Sequence, residues 1–357
     1  MSDFVISGDY HLKTTDKYGK ILPDGRNSRL VDKLDQIQKS VDYTLEHKIP
    51  YWICDGDVFD KINPPEFLRK AFFEIIKPLI VAGVKIYFII GNHDTDYRVH
   101  TFMADAELLA MFKSDAIIIV TEPMEITLGD VELLLIPFDK SENISQVIEK
   151  QGKGKIVVGH FGIEGAVVST TEYVMDGGVK QKILDIPRYT YAGHFHTPQK
   201  TSKWMYIGSI AKADYGERND KKGFVHVTAT ATKIEHKFID VKDRVFIYHE
   251  VIESEDPEFK KLVDLEGTVK GQVVKLIFIG EETWYLRFNL SEIRSKILKT
   301  GDAHKLFIEH KTFYESRIRV PEINASSSWD EGIEMYCKKE KAPNMVDIGK
   351  SILKEVL

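Results

Sequence analysis

The chain has 357 residues, 43% of them apolar, a formal net charge of −6 and two cysteines, Cys54 and Cys337. That length exceeds an ordinary domain of about 100 to 200 residues, so one large domain with an appended unit is expected. Two cysteines exclude a disulfide framework and a cysteine-built zinc site, and the acidic balance argues against indiscriminate polyanion binding.

Five short apolar runs break off in turn into Asp, Asn or His: FVISGDYH (Phe4 to His11), YWICDGD (Tyr51 to Asp57), YFIIGNHD (Tyr87 to Asp94), IVVGH (Ile156 to His160) and YAGHFH (Tyr191 to His196). Runs of Val, Ile, Phe, Tyr and Trp of this length read as buried strands, and polar residues just past their carboxyl ends stand where open α/β sheets hold ligands. Helical segments over Arg29 to His47 and Pro64 to Ala82 alternate with them, as in a layered α/β domain. Within the second half, MYIGSI, GFVHVTAT and KIEHKFIDV follow one another without helices, which predicts an antiparallel addition. Residues 1–241 are therefore expected to form a two-sheet αβ sandwich.

From Lys242 the pattern restarts: VVKLIFIG as a strand, LSEIRSKIL as a helix capped by Ser291, and HKLFIEHKTF as a strand, giving a small α+β unit over 242–320. The polar stretch from Pro321 to Asp330 reads as a linker, so 321–357 is expected to be linker and helical tail. In that tail Met345, Ile348, Ile352, Leu353 and Val356 recur at helical spacing. The longest apolar neighbourhood, Ile75 to Ile90, is broken by Lys77, Pro78, Gly83 and Lys85, too soon for a membrane helix of about 20 apolar residues. No secretory signal is evident, so a soluble, cytoplasmic protein is expected.

Asp9, His11, Asp57, Asn92, His160, His194 and His196 are all competent divalent-metal ligands, and their grouping at strand ends points to a shared metal centre. Two cations about 3.5 to 4 Å apart can activate water and neutralise phosphoryl charge, but need a carboxylate between them. Asp57, after Gly56 at a sharp strand end, is best placed for that bridge, ahead of Asp55 and Asp60. The pairs Asp9/His11 and His194/His196 share a spacing of two that lets each pair point to one side. After the first pair, Lys13, Lys17, Lys20, Arg26, Arg29 and Lys33 form a locally basic segment. It is either a solvated loop and helix face or a substrate contact, and in the latter case Lys13, Lys17 and Arg26 are the candidates.

Taken in order, the blocks Asp9 to His11, Gly56-Asp57, Gly91 to Asp94, Gly159-His160 and Gly193 to His196 resemble the calcineurin-like metallophosphoesterase superfamily. The resemblance implies one metal held by Asp9, His11, Asp57 and His196, and a second by Asp57, Asn92, His160 and His194. It leaves His93 to protonate the departing oxygen, with Asp94 either orienting that ring or serving as a turn residue. Imidazole-rich sites containing oxygen donors suit manganese, iron or zinc, and manganese is the expected pair of ions.

The segments GHFGIEGA and MYIGSIAKADYGERNDKKGF, with Gly208-Ser209, Gly216-Glu217 and Lys222-Gly223-Phe224, resemble the SbcD nuclease group, which includes bacteriophage recombination endonuclease subunits. This implies a DNA substrate, a capping domain, and a tail that docks on an SbcC-type coiled-coil ABC ATPase; the tail's alternative is packing on its own chain. It also implies a homodimer through Phe67, Leu68, Phe72, Ile75, Ile76 and Leu79, whose alternative is core packing. Competing readings are a small-molecule or cyclic-nucleotide phosphodiesterase of the same superfamily, and a non-catalytic metal-binding scaffold. Protein Ser/Thr phosphatases usually carry Arg-Gly after the second block, where this chain has Val58-Phe59-Asp60.

Overall fold

The computed structural model describes residues 1–94, 115–139, 143–168, 174–259, 268–312, 329–339, 345–348 and 350–351. Alternation along each strand decides the layering, because successive side chains point to opposite faces. In β1 (Ser2–Ser7), β2 (Tyr51–Cys54) and β3 (Lys85–Ile89), Val5, Trp52, Cys54, Ile86 and Phe88 face a core shared with α1 (Ser28–Glu46) and α2 (Glu66–Val81). Phe4, Ile6, Ile53, Tyr87 and Ile89 face the other way, onto a second sheet.

The first sheet adds β4 (Ile117–Val120) at one edge and β11 (Gly223–Ala229) with β12 (Ile234–Asp240) at the other, in the order β12-β11-β1-β2-β3-β4. The second comprises β5 (Met124–Leu128), β6 (Val131–Ile136), β7 (Ile156–His160), β8 (Tyr189–Gly193), β9 (Gln199–Lys200) and β10 (Trp204–Tyr206), in the order β5-β6-β7-β8-β10-β9. Leu133, Leu135, Val158 and Tyr191 face the first sheet, while Leu134, Ile136, Val157 and Ala192 pack beneath α3 (Ile144–Gln151). The result is the expected two-sheet αβ sandwich. Each of the five motif strands delivers its polar residues from its carboxyl end.

The placement of the later strands differs from the expectation. The three runs predicted as one antiparallel addition divide between the sheets: β11 and β12 pair antiparallel beside β1, whereas the MYIGSI run contributes β10, which pairs parallel with β8. Local sequence carries no signal for which sheet a strand joins.

α1 starts at Asn27, whose Oδ1 accepts the Arg29 amide at 2.9 Å, and it buries Leu30, Leu34, Ile37 and Val41 along one face. On α2, Leu68, Phe72, Ile76 and Leu79 are buried in the same core and Ile75 packs against it, leaving Phe67 48% exposed.

The third sheet is parallel, in the order β13-β14-β15, from β13 (Phe246–Ile252), β14 (Val273–Ile279) and β15 (Lys305–Lys311). Between β14 and β15 run α4 (Glu282–Tyr285) and α5 (Leu290–Ser295), over a core containing Leu276, Phe278, Trp284, Ile293 and Ile297. The cap of α5 is Asn289, whose Oδ1 accepts from the Glu292 amide at 3.2 Å, and not Ser291 as the sequence suggested. Strand β13 is one that sequence reading did not single out.

The third sheet meets the sandwich through Tyr18, Tyr215, Phe246 and Val273, and through an ion-pair junction in which Asp32 of α1 binds Arg244. Beyond it lies α6 (Trp329–Lys339). The predicted linker falls largely outside the described residues, as do Ile352, Leu353 and Val356, while Met345 and Ile348 are 46% and 49% exposed. Among the described residues no helix is long and apolar enough to cross a membrane.

Candidate metal centre

The loops after β1, β2 and β8 leave ordinary backbone geometry. Asp9, His11, Asp57 and His194 adopt φ of 48°, 44°, 51° and 99°, a region that L side chains occupy only when their surroundings enforce it. The enforcement is visible: the Asp9 amide donates to Gly56 O and the His11 amide to Asp57 O, each at 2.9 Å, so the first two loops are laced together. Gly56, at φ 118°, lies so close to the His160 ring that a Cβ there would come within 2.3 Å of Nδ1. Only glycine fits both constraints.

These loops, with the turn after β3 and the end of β7, bring all seven expected ligands into one neighbourhood. Ligand atoms of Asp9, His11 and His196, of Asp9, Asp57 and His160, and of His11, Asp57 and His93 form three groups whose members lie within 4.8 Å of one another. Asp57 Oδ2 stands 3.5 Å from His11 Nε2 and 3.4 Å from His160 Nε2, between the two halves of the site. Asn92 Oδ1 is 3.0 Å from His160 Nε2 and 2.9 Å from His194 Nδ1. The other carboxylates considered for the bridge do not stand between the two halves: Asp60 lines the cleft but pairs with Lys13 at 3.2 Å, and Asp55 is fully buried.

The donor set fits divalent cations. His11 Nε2 and His196 Nε2 face each other at 3.0 Å, and Asp9 Oδ1 is buried without a hydrogen-bond partner. An orphaned buried carboxylate oxygen is disfavoured unless a cation completes it. The carboxylates and imidazoles act strongly on one another. Burial alone would raise the Asp57 carboxyl, yet His160 and His11 hold it well below the usual range. Burial would likewise lower His160, but Asp57 and Asp9 push it up to about 10. His194 is pushed down to about 4 by burial and by His160.

Outer contacts fix the ligands. His160 Nδ1 lies 2.8 Å from Asp55 O. His196 Nδ1 lies 2.9 Å from Glu217 Oε1, and Glu217 Oε2 in turn receives Lys222 Nζ at 2.7 Å and the Ala213 amide at 2.9 Å. Lys222 also donates to His196 O at 2.7 Å. Such carboxylate–histidine contacts set ring orientation and tautomer. The sequence showed Glu217 only as part of a Gly-Glu pair; its role depends on the chain folding back onto His196.

His93 lines the cleft, its ring 4.7 Å from that of His11, and its Nδ1 lies 3.0 Å from Asp60 O. Asp94, suggested as the orienting group for that ring, faces elsewhere: its Oδ2 accepts the amides of Asp57 and Gly91 at 2.9 and 3.0 Å, so it is the turn residue of the alternative. Burial and the nearby Asp57 raise its carboxyl to about 7.

Of the basic segment, Lys13 lines the cleft together with Lys33, which the sequence had not nominated. Lys33 is buried and donates to His11 O at 2.9 Å, which helps hold His11 in its strained conformation. Lys17 lies over the Tyr18 ring and Arg26 pairs with Asp24, and neither lines the cleft. Arg29 is buried in the junction with the third sheet.

Residues 3–198 match the family model described as calcineurin-like phosphoesterase. Exonuclease subunit 1 of Enterobacteria phage T4 is 28% identical over 196 residues, 54% of this chain and 57% of that protein. The SbcD subunit of the Bacillus subtilis SbcCD nuclease is 33% identical over 93 residues, 26% of this chain and 22% of that protein. DNA double-strand break repair protein Mre11 of Sulfurisphaera tokodaii is 24% identical over 176 residues, covering 46% and 43% of the two chains. The chain thus spans little more than half the length of these relatives at most.

Proposed function

Because the chain belongs to the calcineurin-like phosphoesterase family, we propose that it is a two-metal DNA nuclease of the SbcD type, hydrolysing DNA phosphodiesters during double-strand-break processing and recombination. The observation that supports this best is the convergence of seven oxygen and imidazole ligands at strand ends, in a chain whose matched relatives are named as nuclease and break-repair proteins.

Asp9, His11, Asp57 and His196 would hold one cation, and Asp57, Asn92, His160 and His194 the other, with manganese favoured by the mixed imidazole and oxygen set. When bound, such a pair supplies Lewis acidity and lowers the pKa of a water. The chain's own groups do the rest. Lys13, paired with Asp60 at the cleft, is the basic group placed to meet a phosphate oxygen. The His93 ring is held through Nδ1 against the Asp60 carbonyl, so in its imidazolium form it donates from Nε2 to the departing oxygen. Asp94 positions Asp57 by binding its amide.

In this reading residues 242–320 form a capping domain and 321–357 a linker and tail that engages an SbcC-type coiled-coil ABC ATPase, with the exposed edge of α2 available for a homodimer. The complex acts in the cytoplasm.

The test is degradation of end-labelled linear duplex DNA with manganese, comparing wild type with His93→Ala, alongside a chromogenic phosphodiester. Wild type should degrade the duplex, and His93→Ala should bind metal equally but turn over roughly 10²- to 10⁴-fold more slowly. Cleavage of the chromogenic ester with DNA left intact would instead support either a small phosphodiester as substrate or DNA access that requires the ATPase.

A further inference from the structure

A second cavity of about 510 Å³ adjoins the metal cleft, and His194 lines both. Its walls include Phe138, Phe161, Met175 and Ile183, and it is also lined by the exposed Lys180 and Lys182 and by the equally exposed Asp139 and Glu149. Phe138 forms the wall nearest the metal ligands, its ring 5.7 Å from that of His194 and 6.1 Å from that of His160. Its amide donates to Ile90 O at 2.8 Å, which ties the residue after β6 to the end of β3 and so to both sheets.

An aromatic and thioether wall beside a phosphate-binding centre contributes nothing to holding phosphate oxygens. It suits the flat π-face of a base, which stacks on such surfaces whatever its identity. The volume falls in the range of small-ligand pockets, about 300 to 1,000 Å³. Resting on the nuclease reading for its biological substrate, we propose that this cavity receives the base of the nucleotide next to the scissile phosphodiester, turned out of the stack. The two lysines are matched by Asp139 and Glu149, so stacking rather than charge carries the affinity of this cavity.

Binding of mononucleotides tests the pocket without relying on DNA cleavage. The manganese-loaded protein is titrated with 5′-dAMP and, separately, with deoxyribose 5-phosphate, which carries the same phosphate and no base. Wild type should bind 5′-dAMP roughly tenfold more tightly, the size of one base–aromatic stacking contact. Ser145→Trp, which fills the cavity from α3, should reduce that preference, and Met175→Ala should do so independently. Equal binding of the two ligands by wild type, or a preference undiminished in both variants, overturns the proposal. A base preference lost in the variants, in a protein that leaves duplex DNA intact, supports the pocket and removes the nuclease reading alone.

Discussion

The metal centre and the third sheet solve opposite problems. At the centre, four ligand-bearing residues sit at positive φ, and Asp9 Oδ1 and both oxygens of Asp55 are buried without partners. Among the described residues, the third sheet from Phe246 onward buries no side-chain nitrogen or oxygen in that state; even the Trp284 indole donates, to Pro257 O at 2.8 Å. Strain and unsatisfied polarity are disfavoured in a fold. Both regions hold residues at positive φ, Phe259 and Asp302 beside the third sheet among them, so what marks the region shaped for chemistry is that its strained residues carry metal-competent side chains next to buried carboxylate oxygens without partners.

That contrast breaks most sharply at Asp57. Its carboxylate stands between His11 and His160 and also accepts the His93 amide at 2.8 Å. Asp57→Asn is expected to abolish hydrolysis and to weaken metal binding by more than roughly 100-fold in calorimetric titration. Retained metal binding would mean that the bridge lies on another carboxylate. The corresponding lesion in the third sheet is Leu276→Ala, in the central strand β14 and fully buried. It should lower stability by roughly 2 to 5 kcal/mol in urea unfolding while leaving metal affinity unchanged. A parallel fall in metal affinity would show that the two regions are not separable.

A smaller effect sharpens the comparison from the metal side. Glu217 is buried, and although burial would raise its carboxyl, His196 and Lys222 hold it well below the usual range. Glu217→Gln keeps the shape and a hydrogen-bonding oxygen but removes the charge that polarises His196. Metal affinity is expected to fall by roughly 10- to 100-fold, with thermal unfolding of the metal-free protein showing an intact fold. Unchanged affinity would make Glu217 a purely structural anchor for Lys222.

How much of this was legible in the sequence follows the same division. The five strand ends could be read because each pairs a buried apolar run with polar residues that such a run would otherwise exclude, and the two-sheet layering followed from their alternation with helices. What supports the ligands could not be read. Lys33 and Arg29 looked like members of a solvated basic run, yet both are buried and bonded, Lys33 to His11 O and Arg29 to Lys212 O. The segment around β13, VFIYHEVI, mixes His and Glu into an apolar run, which hides a strand that, among the described residues, pairs on one side only. Asp94 was legible as important and illegible as to target, since its partners are backbone amides brought near by folding.

The junction between the two regions carries the smallest predicted effect and the most discriminating one. Asp32 is held by Arg244 through Nε and Nη2 at 2.7 and 2.6 Å and by Arg29 at 2.7 Å, and Arg29 continues to Lys212 O, next to the cleft-lining Ala213. Burial would raise the Asp32 carboxyl, but Arg244 and Arg29 bring it below the ordinary value. A carboxyl whose folded pKa is depressed adds stability above its unfolded value, about 3.9, and that stability is lost as pH falls through the lower folded one. Arg244→Ala should therefore destabilise the protein by about 1 to 2 kcal/mol at pH 7, and by progressively less in urea titrations below about pH 4. A deficit that persists undiminished into acid would assign Arg244 to its contact with Gly271 O rather than to charge, making the junction an extension of the packed sheet. A deficit that vanishes with Asp32's charge would make it an electrostatic seam between the metal centre and the packed sheet.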